Sequence, residues 1–304
     1  MTEILTRAGC FVAIIILGQT LRRTGVFGPE TFGVLSKIIM KITLPAAIIS
    51  ATAGKSIAPS MLTISLIGLG SGLIYMLVGW MLMIKRSNAE KAFYIQNIPG
   101  YNVGTFALPF TQSFLGPAGV LITSIFDLGN AIICFGLSFS FAKMIKEGGR
   151  FNFFRIIKGA VSSIPFLTYL FMIILNLNNL TPPKVILTLA DIVGSGNAFL
   201  AMLMLGIGMN ISIDTKKLGI ILKVLITRFG IAVVFALIYY YLPVFNPEVR
   251  QTLIILAFSP IGSTVPIFTA ELGEDEELSS TINSLSILLS IIFTVTLLTL
   301  NFSY

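Results

Sequence analysis

From Met61 to Ile84 the chain carries no charged side chain. A helix of that length, at about 1.5 Å per residue, crosses the roughly 30 Å of hydrocarbon in a bilayer. Runs of this kind recur along the whole chain. Ten mostly apolar segments fall near residues 4–21, 31–50, 61–84, 91–113, 117–142, 156–176, 183–209, 219–242, 248–271 and 278–300. Lipid offers no partner for backbone N–H and C=O groups, so a spanning segment must be a helix or part of a closed barrel. The runs are continuous and do not alternate with period two, which excludes the barrel. Charged residues make up 11% of the chain, against about 25% in soluble domains. The expectation is an all-α integral membrane protein with ten transmembrane helices. Ala8 to Leu21 is followed by Arg22-Arg23 and not by a small-residue cleavage site, so it is read as the first membrane helix and not as a signal peptide.

Several function classes drop out. Histidine is absent, which removes histidine-based acid–base chemistry, the HExxH type of zinc site and the usual serine triad. Cys10 and Cys134 both sit in apolar runs and suggest neither a disulfide framework nor a metal site; no cofactor is expected. Gly68-Leu-Gly-Ser-Gly72 has the spacing of a phosphate loop or a rhomboid-type serine motif. It lies within an uncharged span with no lysine or histidine to complete either, so close helix packing is the expectation.

The net charge of +7 could point to nucleic acid, but the basic residues follow membrane topology. Alternate loops hold Arg22 and Arg23; Lys85, Arg86 and Lys91; Lys143, Lys146, Arg150, Arg155 and Lys158; and Lys216, Lys217 and Lys223. The opposite side holds only Arg7, Lys55, Lys184 and Arg250. The basic side faces the cytoplasm by the positive-inside rule, which puts both termini outside. The acidic run Glu274-Asp-Glu-Glu277 then lies inside, read as a solvated turn capping the last helix. A basic linker at 143–155 divides the chain into five spans (1–142) and five spans (156–304). An odd-numbered unit reverses direction when repeated, so a five-plus-five inverted repeat is expected.

Two apolar spans, the fourth and the ninth, are interrupted. The fourth carries Asn97-Ile-Pro-Gly-Tyr-Asn-Val-Gly-Thr-Phe-Ala-Leu-Pro109 and the ninth Ser259-Pro-Ile-Gly-Ser-Thr-Val-Pro266. An offset of 157 lays Pro266 on Pro109, Gly273 on Gly116 and Ser259 on Asn102. Pro99, Pro109 and Pro266 are the expected helix breakers, because proline cannot donate to the helix and clashes with the preceding turn. Paired breaks in two halves mark the substrate site of a secondary transporter. Half-helices starting near Val103–Gly104 and Ile261–Gly262 would aim unpaired N–H groups at the midplane and suit a carboxylate. Asn97, Asn102, Ser259, Ser263 and Thr264, with Pro260 between, would line that site. Asn283 and Ser286 are read as helix-to-helix hydrogen-bonding residues.

Charges at bilayer depth each need a reason. Asp127 lies about ten residues into the fifth span, with Asn130 on the same face, and the pair is a candidate cation or proton site. The offset sets Ser284 opposite Asp127, so any coupling chemistry is confined to one half. Lys41 reaches similar depth and could pair with Asp127; Lys37 can snorkel. Asp191 and Arg228 reach comparable heights, as a hairpin-stabilising pair or with Arg228 as counter-charge for an anionic substrate.

Taken in order, several strings resemble the auxin efflux carrier family of membrane transporters, the bacterial malonate- and malate-type branch more than the plant one. They are Leu17-Gly18 with Arg22-Arg23, Thr43-Leu-Pro45, Asn102 ahead of Pro109, Phe126-Asp127-Leu-Gly-Asn130, Leu205-Gly206, and Ser259-Pro260 with Val265-Pro266. The resemblance implies that spans four and nine cross at their breaks and hold the substrate there. It also implies a homodimer and an organic-anion cargo. The chain departs from the family where a proline is common, around Phe199, in its short central loop, and in carrying Tyr101 where the plant branch has proline.

These readings converge on a secondary transporter of the cell membrane. It would move a small mono- or dicarboxylate by alternating access, with the proton as the candidate coupling ion and with lipid and a second copy as its partners. A sodium-coupled symporter of the bile-acid type is the alternative, and an anion channel or a sensor without turnover is a further one.

Overall fold

A computed structural model describes residues 2–28, 30–55, 57–148, 150–212, 214–241 and 244–300. Leu242, the end of the expected eighth span, lies outside the described residues. Those described form helices and connections, with no strand among them. In chain order the α-helices are α1 (Thr2–Arg23), α2 (Thr31–Ile38), α3 (Leu44–Thr52), α4 (Thr63–Leu82), α5 (Asn88–Asn97), α6 (Leu108–Ile132) and α7 (Ser138–Glu147). They continue with α8 (Phe153–Ser162), α9 (Ile164–Leu177), α10 (Lys184–Ser195), α11 (Asn197–Gly208), α12 (Leu218–Tyr241), α13 (Pro247–Ala257), α14 (Val265–Glu271) and α15 (Glu276–Thr299). Seven helical stretches are long and apolar enough to cross a membrane, eight if a bent pair counts as one span. The chain is a multi-pass membrane protein.

Three π-helical turns have local causes. Ile39–Thr43 joins α2 to α3 just ahead of Pro45, and Val103–Ala107 leads into α6 just ahead of Pro109. Proline can neither donate to the carbonyl four residues back nor tolerate it nearby, and the wider π turn relieves both problems. Pro109 and Pro266 therefore stand at the starts of α6 and α14. Of the three expected breakers, Pro99 lies within a break and the other two open the helices that follow one. The third π turn, Ile133–Leu137, contains Gly136 at φ +134°. At Gly116 the chain takes φ +63°, which separates the fourth apolar run from the fifth within α6.

The expected sixth span, 156–176, is not one rod. α8 and α9 meet at Ser163 with a bend of 74°. Ser163 accepts a hydrogen bond from the Phe166 N–H, and Pro165 occupies the first turn of α9, so this junction is a helix start. The expected linker 143–155 is also mostly helical, since α7 runs to Glu147 and α8 begins at Phe153.

Small residues set the closest helix approaches. A Cβ on Gly68 would collide with the Phe126 carbonyl oxygen, and one on Gly129 with the Ser65 carbonyl oxygen, so α4 and α6 cross backbone to backbone. Gly18 and Gly206 do the same for α1 and α11. Gly68 thus serves packing, as expected for its motif.

Candidate functional site

α5 stops at Asn97 because Pro99 follows and Gly100 takes φ +79°. α13 stops at Ala257, ahead of Pro260. Each break frees backbone groups that hydrocarbon cannot satisfy, and each is tied by an asparagine from a later helix. Asn130 accepts from the Tyr101 N–H through Oδ1 (2.9 Å) and donates from Nδ2 to the Tyr101 carbonyl (3.0 Å). Asn283 Nδ2 donates to the carbonyls of Ile261 and Gly262 (2.9 and 3.1 Å), and Ser286 Oγ accepts from the Ile261 N–H (3.1 Å). The breaks touch directly: the Asn102 N–H donates to the Pro260 carbonyl at 2.9 Å.

Arg228, fully buried on α12, closes the junction. Its guanidinium donates to the carbonyls of Ile98 (2.6 Å), Ser259 (2.7 Å) and Pro260 (3.1 Å). It lies 5.1 Å from the ring centres of both Tyr75 and Tyr101. These carbonyls are the orphan acceptors left where α5 and α13 end, and a planar fork suits several of them at once. The Arg228–Asp191 pair is not formed: Asp191 is exposed and accepts from Ser50 Oγ at 3.0 Å.

Beside the junction lies a cavity of about 120 Å³. Asn102, Val103, Gly104 and Thr105 line it from one break, and Gly262, Ser263 and Thr264 from the other. Asp127, Asn130 and Cys134 face it from α6 and the π turn that follows. Met40 and Leu44 close it near the first π turn, and Ser163, Phe166 and Tyr169 at the α8–α9 elbow. Asp127 Oδ1 accepts from Asn130 Nδ2 at 2.8 Å, so one asparagine orients the carboxylate and the first break together.

Asn102 is 4% exposed, and its Nδ2 has no protein partner. Thr105 Oγ1 donates to Asn102 Oδ1 at 2.5 Å, a separation that fits O–H···O and sets the amide's orientation. A buried donor left unpaired costs about 1–3 kcal/mol. Tyr169, itself 1% exposed, sets its hydroxyl beside the Asp127 carboxylate.

The structure thus gathers Asn102, Val103, Gly104, Ser263, Thr264, Asp127 and Asn130 around one cavity. The other named residues lie elsewhere. Asn97 donates to Phe93 O and Thr269 Oγ1 and accepts from Ser279 Oγ, tying α5 to α14 and α15. Ser259 and Pro260 contribute carbonyls to Arg228, and the Ser259 hydroxyl is buried without a partner. Lys41 is exposed, and no ion pair joins it to Asp127 among the described residues. Sequence reasoning missed Tyr169, Ser163, Phe166, Met40 and Cys134 as lining residues. The string Ser163-Ile-Pro165 carries the signal of a helix start that would have placed the elbow.

No curated protein matches the chain. The family model described as membrane transport protein matches residues 10–150, a stretch that holds the first break, Asp127 and Asn130.

Proposed function

We propose that the protein is a secondary transporter that carries a small organic anion across the cell membrane by alternating access. One observation carries the reading: the two breaks meet through the Asn102 N–H and the Pro260 carbonyl, beside a cavity lined by both. The first turns that follow the breaks leave N–H groups without intrahelical partners, and Asn102 Nδ2 adds a free donor. Donors of that kind suit a carboxylate.

The architecture under this reading is ten spans in a five-plus-five inverted repeat, residues 1–142 and 156–304, with spans four and nine crossed. Matching features support it. Gly116 and Gly273, related by the 157 offset, both take positive φ, and Pro109 and Pro266 both open outgoing helices. α1 packs on α11 as α9 packs on α3, the exchange a pseudo-dyad would produce.

Both termini lie outside in this arrangement. In its favour, Arg155 pairs with Glu271, Lys146 with Glu274 and Lys217 with Asp275, joining three segments that the loop charges assign to the cytoplasm. The acidic turn is therefore paired on that side and not merely solvated. A homodimer accords with the exposed Lys41, which a second copy could shield from lipid.

Asp127 is the proposed proton carrier, oriented by Asn130. The test is counterflow of a labelled carboxylate in proteoliposomes, with and without a pH gradient. Saturable exchange is expected. Asp127→Asn should abolish the response to the gradient while exchange persists. Ohmic conductance in place of saturation would overturn the carrier reading. Stimulation by sodium in place of protons would overturn the coupling assignment.

A further inference from the structure

We infer that the cavity takes a ligand with a single carboxylate and a short apolar body, and not a dicarboxylate; the inference rests on the transporter reading above. Charge is the first reason. Among the described residues lining the cavity there is one carboxylate, Asp127, and no lysine or arginine. The two membrane-depth cations named from the sequence are not in the wall: Arg228 lies outside the lining and turns both terminal guanidinium nitrogens to carbonyls, and Lys41 is exposed. A ligand carboxylate and Asp127 can share one proton, which leaves one negative charge between two acids. A second ligand carboxylate would bring a further negative charge into a site with no cation to meet it.

Donors are the second reason. Asn102 Nδ2 is a buried side-chain donor without a partner on the break side, whereas the Tyr169 hydroxyl is turned to Asp127. With the hydroxyls of Ser263 and Thr264, that donor suffices for one carboxylate. Much of the remaining wall, Met40, Leu44, Phe135 and Phe166 among it, is apolar and suits a hydrocarbon body. At roughly 10–15 Å³ for each water-sized unit, the cavity holds on the order of ten non-hydrogen atoms. Size therefore admits four-carbon acids of either type, and charge decides between them.

The experiment compares butyrate with succinate, at matched ionic strength and neutral pH, as thermal stabilisers of the purified full chain. Butyrate should raise Tm by roughly 2–4 °C near saturation, and succinate should leave it unmoved. Asn102→Ala should weaken butyrate about tenfold or more, since the free donor is lost while the backbone link to Pro260 remains. Met40→Lys, which adds a cation to the wall, should give succinate a shift. A succinate shift equal to or larger than butyrate's in the unmodified protein overturns the inference and leaves the anion carrier standing. No shift from either acid, together with no counterflow of any carboxylate, overturns both. The comparison in the unmodified protein depends on no variant folding.

Discussion

Arg228 shows how far depth alone goes in reading a residue. Its position in an apolar run places a cation near mid-membrane, and that much is legible. Which groups face it is decided by α5 and α13, distant in sequence, and what faces it is carbonyl oxygen. Asn97 and Asn102 make the same point. Both sit at the first break, yet Asn97 turns to Thr269 and Ser279 while Asn102 faces the cavity. Spacing gives height along a helix axis, but where helices stop, the direction of a side chain follows from packing. Arg228→Ala should cost about 3–5 kcal/mol, because three buried carbonyls lose their donor. Thermal unfolding in detergent reads this directly. Arg228→Lys should recover only part of the loss, since an ammonium cannot reproduce the fork. Lys41→Met should leave the melting temperature within about 1 °C of its starting value, consistent with an exposed side chain.

At the level of the element, the glycine strings were legible as packing sites because an uncharged span with small residues has few other uses. The α8–α9 elbow was not, since hydropathy averages over a bend and the cue lies in Ser163 and Pro165 alone. Gly129→Ala should destabilise by about 1–3 kcal/mol or more through collision with the Ser65 carbonyl. Gly70→Ala, with open space around the position, should be neutral or slightly stabilising, and melting curves of the two variants make the comparison. α5 starts with a capping box: Ser87 Oγ accepts from the Glu90 N–H, and the Glu90 carboxylate accepts from the Ser87 N–H and hydroxyl. Those hydrogen bonds hold the Glu90 carboxyl below its ordinary value of 4.5. A depressed value means that the contribution is present above the ordinary value and is lost as pH falls through the lowered one. Ser87→Ala should cost about 0.5–2 kcal/mol. Melting temperatures of this variant and of the parent should converge as pH drops through and below 4.5, in so far as Glu90 carries the difference.

For the molecule as a whole, the multi-pass all-helical architecture and the two interruptions were legible because lipid leaves backbone groups so few options. The pairing of the basic loops with the acidic turn was not, since loop charge gives a side but not a partner. Arg155 there leaves α8, packs its aliphatic stem over Gly136, lies 3.9 Å from the Phe139 ring centre and pairs with Glu271 of α14 at 2.7 Å. It fastens the elbow that closes the cavity to the helix that leaves the second break. An ion pair at this degree of exposure contributes about 0.2–1 kcal/mol. Arg155→Gln should therefore shift the opening equilibrium by a factor of about 1.5–5. Under the proposed topology, alkylation of Cys134 by an impermeant maleimide applied at the face that carries the basic loops should accelerate by that factor. An unchanged rate would show that the fastening does not limit access.

The guanidinium at the crossing has carbonyl partners and, among the described residues, no carboxylate bound to it. An electric field across the bilayer acts on every elementary charge it moves with about 2.3 kcal/mol per 100 mV. Under the proposed transport cycle, a bundle that swings with the crossing would bring Arg228's positive charge along, and Asp127, fastened to the same break through Asn130, supplies the only carboxylate among the described residues of the cavity wall. With Asp127 ionised the two cancel and the swing is blind to voltage. With Asp127 protonated and no anion aboard, the proposed swing would be electrogenic, and in the proposed orientation the membrane potential would oppose the outward return of a proton-loaded, empty carrier.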